Sequence, residues 1–262
     1  MTSLLFILFF LIAILFSMLG FGGGILYTPI LLQSGLSYYE ASATALIVII
    51  TLSITATIVY HFNSLVDWKI VFFLEPFSLL GAYFGGYNSK LIPEKFLLIL
   101  FSFVMILSAF FMLFPFASNK NTPKGFIGII KRKKLDYDYH INLWLGIPLS
   151  IIAGFLSSIL GVGGGFAKIP LMTLIFRVPT KIAVATSSAM MILTASAGAI
   201  GHLKAGHVNP KLSFFLSIAA FLGSFIGSKI SIKADKKFLD IIISIIFIAT
   251  SIWMIFKAIF RY

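Results

Sequence analysis

Two stretches of this chain could do chemistry with backbone alone. Gly20-Phe21-Gly22-Gly23-Gly24 ends on Pro29, and Gly161-Val162-Gly163-Gly164-Gly165 ends on Pro170, each after a long apolar run. Consecutive glycines propagate a helix poorly, at about 1 kcal/mol each relative to alanine. Unwinding at Gly22 to Gly24 and Gly163 to Gly165 frees amide N–H groups ahead of two short helices, expected over 25–32 and 166–175. Free amides at the positive end of a helix dipole suit an anion. Close helix packing of small residues is the competing reading for a single triplet.

Polar side chains gather near these elements. Lys168 lies three residues past Gly165 inside an apolar segment; placing it there costs at least about 2.5 kcal/mol, so it either counters an anion or snorkels to the interface. Thr44 and Thr186, followed by Ser187, offer hydroxyl donors on the next helix of each half, or else bond their own helix backbone. His61 and His202 end helices, where they could move protons or simply complement a dipole. Glu75 is an acid well inside an apolar run, a proton relay or a residue reaching the interface. His202 and His207, five apart, would not share a helix face, so no metal spacing appears.

The elements that must hold these groups are membrane helices. Of 262 residues 60% are hydrophobic and 11% charged, at a mean hydropathy of +1.07, far from soluble globular composition. Apolar stretches occupy 4–19, 41–60, 70–87, 96–117, 143–160, 182–200, 212–228 and 238–256, several near the roughly 20 residues that cross a bilayer. The first lacks a basic flank and runs straight into the glycine motif, so it reads as mature protein rather than a signal peptide. The net charge of +12 lies mainly in loops beside apolar spans, which speaks for topology and not for nucleic acid. With no cysteine, thiolate catalysis is excluded, and no cofactor is indicated.

The chain reads as a duplication: Ala43-Thr44 matches Ala185-Thr186, Lys69 matches Lys211, and Gly81 and Gly85 match Gly223 and Gly227. The expected organisation is a first transmembrane repeat over 1–117, a basic cytoplasmic linker over 118–142 carrying Lys120, Lys124 and Lys131 to Lys134, and a second repeat over 143–262. The linker's patch from Phe126 to Ile130 could lie on anionic lipid. If each glycine element is a re-entrant hairpin, three full crossings remain per half and the halves are inverted. Lysine and arginine then concentrate on the linker side more strongly than in a parallel arrangement, which favours inversion with both termini outside. Glycine-interrupted segments at matching points of two halves are how secondary transporters build a site.

These paired glycine motifs, the Ala-Thr elements and the histidines at 61 and 202 resemble the TauE/SafE sulfite exporter family of membrane anion permeases. The resemblance covers essentially the whole chain. It implies a multi-pass cytoplasmic-membrane transporter for small, often sulfur-containing anions such as sulfite, thiosulfate or organosulfonates, with the lipid bilayer and the anion as partners. Lys168 departs from the uncharged setting associated with the family. The expected site comprises Gly20, Gly22, Gly23, Gly24, Thr44, Gly161, Gly163, Gly164, Gly165, Lys168, Thr186 and Ser187, with proton coupling through His61, Glu75 or His202. A transporter of a cation, a metal or another organic anion, using Glu75 and the histidines, is the rival. An intramembrane enzyme would need a nucleophile with its base, and no such set is present. The sequence does not set the oligomeric state.

Overall fold

The computed structural model describes residues 2–113, 128–135, 137–232 and 236–260. Lys120, Lys124 and Phe126 of the expected linker lie outside the described residues. Among the described residues the fold is all-helical apart from one β-hairpin. Five helices run before the linker: α1 (Thr2–Leu19), α2 (Gly24–Gln33), α3 (Tyr38–Phe62), α4 (Trp68–Tyr87) and α5 (Glu94–Leu113). Five follow it: α6 (Leu143–Leu160), α7 (Gly165–Pro170), α8 (Thr180–Lys204), α9 (Pro210–Ser231) and α10 (Lys236–Phe260). Among the described residues α3, α4, α6, α8 and α9 are long and apolar enough to cross a membrane.

Local signals set the helix starts. Ser37 and Glu40 form a reciprocal capping box on α3, and the side chains of Asp67, Asn142 and Asn209 cap α4, α6 and α9, each such cap contributing about 1 kcal/mol. The two prolines behave differently. Pro29 sits inside α2, whereas Pro170 closes α7 and the chain passes into a π-helical turn, Leu171–Ile175. The second short helix is therefore shorter than its expected span.

Both glycine elements reverse the chain. Tyr27 of α2 stacks on Phe9 of α1 with ring centroids 4.3 Å apart, although a straight helix would separate residues 18 apart in sequence by about 27 Å. Gly146, in the first turns of α6, likewise lies against the Phe176 ring just beyond the π turn. Each element is thus a helical hairpin that returns toward the side it entered.

The long helices sort into two directions. Gly223 and Gly227 of α9 meet the carbonyls of Phe10 and Ile14 of α1, and Ser224 bonds the Leu52 carbonyl of α3; α1, α3 and α9 run one way. Gly81 and Gly85 of α4 meet the carbonyls of Ile151 and Phe155 of α6, while Ser78 and Gly86 meet Thr194 and His202 of α8; α4, α6 and α8 run the other. Glycine at these crossings lets backbones touch where lipid offers no hydrophobic drive to association. Aliphatic and aromatic side chains such as Phe72, Phe103, Phe214 and Ile252 are exposed on the outside, the surface expected to face lipid.

Within the linker, β1 (Ile129–Lys134) and β2 (Tyr137–Asn142) form an antiparallel hairpin, pairing Ile129 with Asn142 and Lys134 with Tyr137. The surface patch expected through Ile130 is not free on its described side. Ile129 and Ile130 belong to β1, and Ile130 packs against the hydrophobic core.

Candidate functional site

The two hairpin tips meet in the interior of the bundle. Gly20, Gly22 and Gly23 have φ of 70°, 81° and 76°, and Gly161, Gly163 and Gly164 have φ of 69°, 81° and 84°, a region that residues with a Cβ rarely enter. A Cβ on Gly24 would stand 2.2 Å from the Gly161 oxygen, and one on Gly165 would stand 2.5 Å from the Gly20 oxygen. Gly22 and Gly163 both pack against Ile49 of α3 and Met191 of α8. The first hydrogen bonds of α2 run from Leu26 and Tyr27 to the Gly23 oxygen, and those of α7 from Ala167 and Lys168 to the Gly164 oxygen. The amides of the preceding glycines stand outside both helical ladders.

Hydroxyls hold the tips in place. Ser187 donates to the Gly20 oxygen at 3.0 Å, and Thr28 lies 3.3 Å from the oxygens of Leu160 and Gly161. Thr186 accepts the Asp67 amide at 2.9 Å. Of the expected hydroxyl donors, only Thr44 is buried with no partner among the described residues. Ser157, which sequence reasoning passed over, shares that condition, and its side chain borders Gly164. Its type gave no signal, since serine in membrane helices commonly bonds its own helix.

Lys168 neither reaches the interface nor stands alone. It is fully buried, its stem passes beside Gly164, and its ammonium donates to both Glu75 oxygens at 3.0 and 2.9 Å. Thr194 Oγ1 touches both partners, and Ser78 lies 3.1 Å from it. The snorkelling expectation for Lys168 and the interfacial one for Glu75 are corrected for one reason: α7 and α4 aim the two charges at each other, and each buried charge has the other, with Thr194, as its partner in place of water. Sequence reasoning missed Thr194, a residue with no matching hydroxyl in the first half, where Leu52 stands.

The histidines do not converge. His61 is exposed and accepts a hydrogen bond from Trp68 Nε1 at 3.1 Å, whereas His202 is buried, with Nε2 3.0 Å from the Ser158 oxygen. The expectation that His202 and His207 stay apart is overturned. The chain turns at Gly206 directly after α8, and their Nδ1 atoms come to 3.0 Å. Helix periodicity does not apply beyond a helix end. Because Ser158 offers a carbonyl, His202 Nε2 donates and its Nδ1 accepts from His207, whose ring also stacks on Tyr39.

At the linker end the buried Asp67 carboxylate accepts from Arg132 Nε at 3.2 Å, Arg132 Nη2 at 3.1 Å, Tyr139 Oη and the Lys69 amide. Burial pushes its carboxyl up, but those hydrogen bonds and the Arg132 charge outweigh it and hold the group below its ordinary value of 3.8. Tyr139, in exchange, is pushed well up by burial and by Asp67. The β1–β2 hairpin is thereby fastened to the α3–α4 loop, one hydrogen bond from Thr186.

Helical hairpins with broken tips, buried face to face among long apolar helices, define a multi-pass membrane transporter rather than an enzyme. The chain belongs to the sulfite exporter TauE/SafE family, whose model matches residues 5–254. It is 31% identical over 258 residues to the probable membrane transporter protein YunE of Bacillus subtilis, covering 93% of each chain. A probable membrane transporter protein of Methanocaldococcus jannaschii is 30% identical over 274 residues, at 97% and 96% coverage. The sulfite exporter TauE/SafE family protein 6 of Arabidopsis thaliana is 23% identical, over 95% of this chain and 78% of its own. No solved structure matches.

Proposed function

We propose that this transporter moves a small, sulfur-containing anion, such as sulfite, thiosulfate or an organosulfonate, by alternating access around the two glycine tips. The observation that carries the reading is non-helical backbone buried at the meeting point of two hairpins, since such backbone inside a membrane protein is tolerated only where protein or a water-filled cavity surrounds it. The amides of Gly22 to Gly24 and Gly163 to Gly165, the spare hydroxyls of Thr44 and Ser157 and the Lys168 ammonium supply donors and positive charge, with Glu75 as the carboxylate beside them. Family membership and the relatives' printed names agree with the substrate class.

The halves are inverted in this reading, with the linker cytoplasmic and both termini outside. Opposed directions of α3 and α8 and of α4 and α9 support it, as does the cluster of basic residues in β1. Glycine tips facing each other let one hairpin rock against the other without breaking helical hydrogen bonds. The cation alternative lacks a free acid at the centre, because Glu75 already neutralises Lys168, and the described residues contain no group of three potential metal ligands.

Uptake of radiolabelled sulfite and thiosulfate by proteoliposomes, against empty vesicles and in competition with sulfate and chloride, tests the reading. Saturable flux competed by one sulfur oxyanion is expected. Flux of divalent cations with none of any anion would overturn it.

A further inference from the structure

The buried pair Lys168–Glu75 joins three elements at one point: the α6–α7 hairpin through Lys168, α4 through Glu75, and α8 through Thr194. Its place in the first hairpin is taken by Tyr27, whose ring lies beside Gly23 and stacks on Phe9 as Lys168 lies beside Gly164. One tip is therefore closed by an aromatic ring and the other by an ion pair. An aromatic stack has one state, whereas an ion pair has two, paired and exchanged.

We propose that Glu75 is a tethered counter-anion, which yields Lys168 to the transported anion only by taking up a proton, so that one monovalent anion moves with one proton. This rests on the anion reading above and adds the coupling ion and its stoichiometry.

Charge neutrality carries the argument. In the resting pair the ammonium and carboxylate sum to zero, with side-chain exposures of 0% and 1%. An anion joining the pair without a proton leaves one uncompensated negative charge at a buried site, which costs several kcal/mol. The balanced step is carboxylate plus proton giving carboxylic acid, with the ammonium turning to the incoming anion; no bond to the anion forms, and the site is neutral before and after. Thr194 Oγ1 contacts both groups and Ser78 contacts Thr194, so the protonated acid keeps hydroxyl partners once the ammonium has turned away.

No other charge intrudes. α6 has no titratable residue, those of α8 are Lys181, His202 and Lys204 near its two ends, and Lys90 follows the far end of α4. Lys69 and Asp67 stand at the start of α4, where Asp67 is bound to Arg132 and Tyr139. Among the described residues Glu75 faces one charged group, Lys168.

The test uses the full-length protein in proteoliposomes, against empty vesicles, with methanesulfonate, a permanently monovalent sulfur anion, as the probe. Wild-type vesicles, acidic outside, should accumulate methanesulfonate about tenfold per pH unit while empty vesicles do not, unchanged when a potassium–valinomycin potential is imposed. Glu75→Gln should equilibrate the anion without accumulating it. Should that variant fail to insert, infrared difference spectra of wild-type protein labelled in glutamate should show a protonated carboxyl appearing when anion is added at fixed pH. Saturable flux without pH-driven accumulation, accumulation that survives in Glu75→Gln, or no glutamate carboxyl signal would each overturn the proposal and leave the anion reading standing. Absence of any anion flux would remove both.

Discussion

Gly24 rests directly on the carbonyl oxygen of Gly161, with no room for a single added carbon, and Gly165 rests in the same way on Gly20. These two contacts are where the hairpins touch, so they bear both on stability and on any movement of one hairpin against the other. Gly24→Ala and Gly165→Ala should each cost about 1–3 kcal/mol by overpacking and abolish anion flux. Thermal unfolding in detergent beside the flux assay checks both; flux at wild-type rate in either variant would show that the tips are not the pathway.

Ser187 and Thr44, read alike from the sequence, should respond oppositely. Ser187→Ala leaves the Gly20 carbonyl without its donor and should lower stability by about 1–3 kcal/mol. Thr44→Val removes a hydroxyl with no described partner, so the melting temperature should hold while the KM for anion rises. A melting loss in Thr44→Val would mean that the hydroxyl is structural.

Single removal of either Lys168 or Glu75 strands a buried charge and should cost about 3–5 kcal/mol, whereas the double change Lys168→Met with Glu75→Leu should cost clearly less. Melting temperatures of the three variants form the cycle; additive losses would deny direct coupling.

Acid should undock the β1–β2 hairpin. The Asp67 carboxyl lies below 3.8 in the folded protein, so its contribution is full above that value and is lost as pH falls through the lowered one. Hydrogen exchange of the β1 amides across this acid range should rise, and Asp67→Asn should show fast exchange already at neutral pH. Protection unchanged in Asp67→Asn would deny the latch.

The opposite end carries a gentler pH dependence. Burial, joined by the Lys90 charge and opposed by Glu40, holds His207 below its ordinary 6.5. Its neutral form is favoured by folding, so that stabilisation is complete above pH 6.5 and declines as pH falls through the lowered value. Unfolding temperature measured from pH 7.5 to about pH 5 should fall more in wild type than in His207→Gln; parallel curves would remove His207 as the cause.

Much of this architecture was legible in the chain itself. Glycine triplets after apolar runs announced the helix breaks because no other residue supplies positive φ without strain, and they fell where expected. Hydropathy pointed to the all-helical membrane class, because long continuous apolar runs without period-2 alternation satisfy their backbone in a bilayer only as helices. What one dimension could not hold was the partner of each polar group. Lys168 and Glu75 stand 93 residues apart, Asp67 and Arg132 stand 65 apart, and Ser187 and Gly20 stand 167 apart. A buried charge or hydroxyl is decided by whatever the packing brings within about 3 Å of it, and the period of one helix marks its packed face without naming the residue opposite. The elements were thus written in the residues, while the choice between a free lysine and a paired one belonged to the tertiary structure alone.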